Sequence, residues 1–214
     1  MRIVAAAVVQ RAPLVLPALS PFEREFYRYQ RHIQHALSRK ADLDFYYRKG
    51  TPAAEAARTM TIDHDLSAES EQELNQENNI SSKLQKNKTE KDIDRLPSRT
   101  LYLLVRKNRE KHAWQFPQGA VKDQESLADA AARELFEECA RHLDVWPMGK
   151  VPAASYAYQD TRVFFHPFAA LRGSADAQAG DGEVVDHAWL TRDEISARVD
   201  KEYYTAVSPL LSRL

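Results

Sequence analysis

Residues 119–143 read GAVKDQESLADAAARELFEECARHL, and the fold turns on how this stretch is read. Ser126 has a side chain able to accept from the free amides of a first helical turn. Leu127, Ala131 and Leu135 then recur every four residues, the spacing of a helical stripe facing a sheet. The expected helix spans about residues 126–141. Glu134, Glu137 and Glu138 stand at i, i+3 and i+4 and therefore share one helical face. Carboxylates so crowded repel unless a cation sits among them, and an all-oxygen set suits Mg²⁺. The plainer alternative is a solvated outer face, on which Arg133 and Glu137 form an ordinary pair worth about 0.3 kcal/mol. Gly119 opens the stretch and is expected to let the backbone turn where other residues cannot.

Outward from this helix, strands and helices alternate. Residues 100–107 (TLYLLVRK) read as a strand and 114–117 as a short second one. After the helix come strands at 153–158, 163–171 and 184–190, then helices at 192–199 and 202–211, with an exposed loop at 173–183. This order implies an α/β domain over residues 98–214. Residues 60–97 are polar and charged; their DHDLSAESEQELNQENNISSKLQKNKTEKDID has no aromatic residue and reads as a linker.

Residues 1–59 form an N-terminal extension. Residues 3–10 are β-branched and apolar, a strand rather than an import helix, although the first 19 residues carry Arg2 and Arg11 and no acid. Ser20, Pro21 and Glu23 make a helix start with a capping box. Phe22, Phe26, Tyr29, Ile33 and Leu37 follow on one helical face. That stripe is either core against the domain or a docking face for a partner. Residues 1–60 hold ten Lys/Arg against five Asp/Glu, interleaved with aromatics, so the arm suits RNA or an acidic protein face.

Bulk properties narrow the classes. A net charge of −1 gives no global drive toward nucleic acid. No apolar run approaches the roughly 20 residues of a membrane span. The single cysteine, Cys139, excludes an intramolecular disulfide and fits a reducing compartment.

The stretch resembles the Nudix box: Gly, five residues, Glu, seven residues, Arg-Glu, an aliphatic, any residue, Glu-Glu. Gly119, Glu125, Arg133-Glu134, Leu135 and Glu137-Glu138 fall in those places. The resemblance implies a Nudix-type α/β/α sandwich with a mixed sheet. In working Nudix hydrolases the acidic residues hold Mg²⁺, which bridges a diphosphate and activates water; here those would be Glu134, Glu137 and Glu138. The pattern breaks at its end, where Ala140 and Arg141 replace a glycine and an aliphatic. Without that glycine the helix is expected to run on toward His142.

Beyond the box, PFEREFYRYQRHIQHAL (21–37), FYYRKGTPA (45–53), RTLYLLVRK (99–107), WQFPQG (114–119) and LDVWPMGKVPAASYAY (143–158) resemble one branch of that superfamily. It is the Nudix-fold proteins of the mitochondrial large ribosomal subunit, in their fungal form. That resemblance implies a structural component in the mitochondrial matrix, near the central protuberance beside other large-subunit proteins, with ribosomal RNA as a further contact. It implies no cofactor and no catalytic residue. A Mg²⁺-dependent hydrolase of nucleoside diphosphate derivatives is the competing reading, because the acidic cluster is retained; a nucleotide-sensing Nudix module is a third.

Overall fold

The computed structural model describes residues 1–15, 19–37, 43–62, 88–110, 112–139, 141–177 and 183–213. The chain forms two compact units, Met1–Leu16 with Lys83–Leu214, and Pro17–Ser82.

The larger unit is built on one mixed sheet. Its strands are β1 (Arg2–Arg11), β2 (Leu101–Lys107), β3 (Trp114–Gln115), β4 (Gln118–Ala120), β5 (His142–Pro147), β6 (Ala154–Tyr158), β7 (Thr161–Ser174) and β8 (Val184–Leu190). The main path runs β3-β2-β1-β7-β5, with β4 beside β1, β6 beside β7 and β8 beside β2. β1 pairs parallel with β7 from Arg2 opposite Thr161 to Gln10 opposite Ala169. The other pairings are antiparallel.

β1 lies at the centre of this sheet, so the extension drawn over residues 1–59 divides. Its first strand belongs to the domain. Burial on both faces explains why β1 is a continuous apolar run instead of an alternating one. Ala5, Ala7 and Val9 join one core with Leu103, Val105, Phe168 and Trp189, roofed by α4 (Leu127–Glu138) through Ala130, Ala131 and Leu135. Val4, Ala6 and Val8 join the opposite core with Leu104, Phe116, Phe165 and Leu190. That core is closed by α5 (Arg192–Arg198) through Ile195 and α6 (Lys201–Val207) through Val207. The result is a three-layer α/β/α sandwich.

The linker expected over 60–97 also divides. Residues 63–87 lie outside the described residues, whereas 88–97 are stitched into the domain. The Trp189 amide donates to the Glu90 carbonyl at 2.7 Å, and Lys91 meets Asp186 at 2.8 Å. Arg11, 3% exposed at the end of β1, donates to the carbonyls of Ile93 (2.9 Å), Leu96 (3.2 Å), Arg99 (3.0 Å) and Arg95.

α4 is shorter than expected: it stops at Glu138, and Cys139 closes it with its amide donating to the Leu135 carbonyl at 3.1 Å. The Asp176 amide satisfies the Cys139 carbonyl at 2.9 Å, and β5 begins at once, paired with β7. The positive-φ glycine of this corner is therefore Gly173 (φ +105°), lying against the His142 carbonyl across the ladder. Ala140 itself lies outside the described residues. β5 was not anticipated, and β7 extends to Ser174, into the expected loop, of which residues 178–182 lie outside the described residues.

In the smaller unit, α1 (Pro21–Leu37) starts with the expected box: the Ser20 amide donates to Glu23 Oε2 at 2.8 Å and the Glu23 amide to Ser20 Oγ at 3.2 Å. α2 (Leu43–Tyr46) and α3 (Pro52–Ile62) follow. The stripe is not core. Phe22 (79%), Phe26 (51%), Tyr29 (63%) and Leu37 (78%) are exposed, as are Phe45 and Tyr46. Among the described residues no helix is long and apolar enough to cross a membrane.

Candidate functional site

The box spans the β4–α4 corner. Ser126 caps α4, its Oγ accepting from the Asp129 amide at 3.2 Å. Gly119 sits in β4 opposite Ala5 without positive φ, so it does not serve a turn as expected. It serves space: a Cβ there would stand 1.9 Å from the Glu134 Cδ.

Arg133 gathers the loop and the helix. It donates to Glu125 at 2.8 and 2.9 Å, to Glu134 at 2.6 Å, to Glu137 at 3.1 Å and to the Ala120 carbonyl at 3.1 Å. These hydrogen bonds hold the Glu125 carboxyl down at about 2 and raise the guanidinium above its ordinary range. Lys122 lies 3.8 Å from Glu137. Far from being one weak surface pair, Arg133–Glu137 is one arm of a four-acceptor hub.

Glu138 has a different cation. It is buried, 8% exposed, so the plainer alternative of a solvated outer face does not hold for it. Its Oε1 lies 2.9 Å from Nζ of Lys107, and its Oε2 is buried without a partner. Burial pushes the Glu138 carboxyl up to about 7, against the pull of the Lys107 ammonium. Burial alone would lower the Lys107 ammonium; Glu138, together with Glu183 at 3.1 Å, carries it above its ordinary value. Neither Lys107 nor Glu183 was singled out in sequence, because no spacing rule links the end of one strand to a helix or a distant loop.

The Nudix box implies a divalent ion at Glu134, Glu137 and Glu138, and the residues present do not fit one as they are arranged. The carboxylates are divided between Arg133 and Lys107. Among the described residues no group of three or more His, Cys, Asp or Glu is placed to hold a metal. The geometry can brace a helix against a loop and a strand.

Comparison with known proteins matches this architecture twice. Residues 95–210 match the NUDIX domain. Residues 1–113 match the family described as 39S mitochondrial ribosomal protein L46. A Neurospora crassa protein named "Large ribosomal subunit protein mL46" is 26% identical, covering 99% of this chain and 76% of that protein. A Schizosaccharomyces pombe protein of the same name is 24% identical, covering 96% and 82%. Among solved structures, a Nudix hydrolase from Nitrosomonas europaea is 21% identical over 51% of this chain and 60% of its own, with a TM-score of 0.41. With both profiles each spanning more than half of its length, and overlapping at β2, the chain belongs to the mitochondrial ribosomal protein L46 family and carries a Nudix domain.

Proposed function

We propose that this chain is a structural component of the large subunit of the mitochondrial ribosome, resident in the matrix, and that its Nudix domain is a scaffold, not a hydrolase. The observation that carries this reading is the likeness to mL46 proteins along 99% and 96% of the chain, far past the Nudix domain itself. Two features of the structure support it. The aromatic face of α1 is exposed, with Arg24, Arg28 and Arg31 on the same helix, as suits a surface that becomes covered in an assembly. The carboxylates of the box already have protein cations. The partners on this reading are large-subunit proteins near the central protuberance, with ribosomal RNA as a further contact. The retained Glu134, Glu137 and Glu138 favour one competitor, a Mg²⁺-dependent hydrolase of nucleoside diphosphate derivatives. Sucrose-gradient sedimentation of mitochondrial lysate at moderate salt separates the two. Co-migration with the large subunit is the expected result; a chain found wholly in the soluble fractions would refute the scaffold.

A further inference from the structure

We propose that Lys107 is the built-in cation of the acidic site: its ammonium takes the charge-balancing place a divalent ion would hold at Glu138, and so closes this Nudix helix to Mg²⁺. Lys107 ends β2 and its side chain is only 18% exposed. It reaches acids on two other parts of the fold, Glu138 on α4 at 2.9 Å and Glu183 just before β8 at 3.1 Å. A lysine ammonium is a compact point charge with three donors, the group best able to stand where a small cation would. A metal entering at Glu138 must either sit within a few ångströms of this like charge or expel it. Expulsion would cost Lys107 its contact with Glu138, a residue 8% exposed, where the ion pair is least screened. The remaining box carboxylates are no freer, because Arg133 holds Glu134 at 2.6 Å and Glu137 at 3.1 Å.

The inference concerns the box alone, so its failure would leave the ribosomal assignment standing. The test uses the full chain and Mn²⁺ as the probe, with free Mn²⁺ read by electron paramagnetic resonance. Wild type is expected to show no saturable binding at millimolar Mn²⁺. Lys107→Met and Lys107→Gln, each checked for folding by circular dichroism, are expected to bind at least about tenfold more tightly. Adding Glu138→Gln to either should abolish that gain. A measurement on wild type covers the case in which both variants misfold. Lys107 should react with an amine-acylating reagent about tenfold more slowly than Lys122, whose side chain is 64% exposed, and millimolar Mg²⁺ should leave that rate unchanged. Saturable Mn²⁺ binding by wild type, folded Lys107 variants that gain none, or Mg²⁺-accelerated labelling of Lys107 would each overturn the proposal.

Discussion

Replacing Arg11 with methionine keeps a linear apolar stem at the end of β1 and removes the guanidinium hydrogen bonds that tie residues 93–99 to that strand. Arg11 is 3% exposed, and its guanidinium gives four hydrogen bonds to carbonyls of that segment and a fifth to Ala12. Charge-assisted hydrogen bonds contribute roughly 1.5–3 kcal/mol each, but the sum overstates the loss. Carbonyls freed near the surface rehydrate, and the cost of burying the cation, which pulls its pKa down, is recovered. The better guide is the cost of the one or two carbonyls left short of a donor, at about 1–3 kcal/mol each, which sets the loss at roughly 2–4 kcal/mol. Against a total stability of roughly 5–15 kcal/mol this is a large fraction. Urea denaturation should show the loss, and trypsin should cut native variant protein after Arg95 and Arg99. A loss below about 1 kcal/mol with no new cleavage would mean that the Arg11 cage does not hold the segment.

Three further outcomes follow from burial and backbone geometry. His166 is fully buried with both ring nitrogens unpartnered, and burial lowers its pKa below the ordinary 6.5. Its neutral form is the folded one, so stability present above pH 6.5 is lost as pH falls toward the folded pKa, at up to about 1.4 kcal/mol per pH unit. His166→Phe should remove that increment from urea curves taken between pH 5 and pH 7; an unchanged acid slope would count against it. Gly173→Ala would set a Cβ 2.1 Å from the His142 carbonyl at a φ of +105°. It should cost about 2–4 kcal/mol by thermal melting, and a neutral result would mean the β5–β7 corner is drawn wrongly. Phe26→Ala with Tyr29→Ala should leave the melting temperature within about 1 °C, since the rings are 51% and 63% exposed, while large-subunit association falls. A destabilised variant would show instead that the stripe is core.

Much of the domain was legible because its signals are local. The Ser126 cap, the Leu127–Ala131–Leu135 spacing and the apolar strands at β2, β7 and β8 each lie within one element. What escaped is long-range. β1 read correctly as a strand, yet its place beside β7, far away in sequence, depends on pairings that no window of residues contains. The end of α4 was misread because the expected glycine cap is replaced by an amide from Asp176. The stripe on α1 was open between core and a docking face, because periodicity reports only that a face is apolar, not what covers it. At the site, the three carboxylates were visible from spacing. The partition between Arg133 and Lys107, which decides their chemistry, was not.

A chain built into the large subunit must be present there at fixed stoichiometry. Large subunits purified from mitochondria, washed at high salt and measured by quantitative mass spectrometry should contain the chain in equimolar amount with the other large-subunit proteins. They should do so equally when the only copy carries Glu138→Gln. A chain present far below equimolar amount, together with a Mg²⁺-dependent cleavage of nucleoside diphosphate compounds that vanishes in Glu138→Gln, would make the Nudix domain an enzyme and not a scaffold.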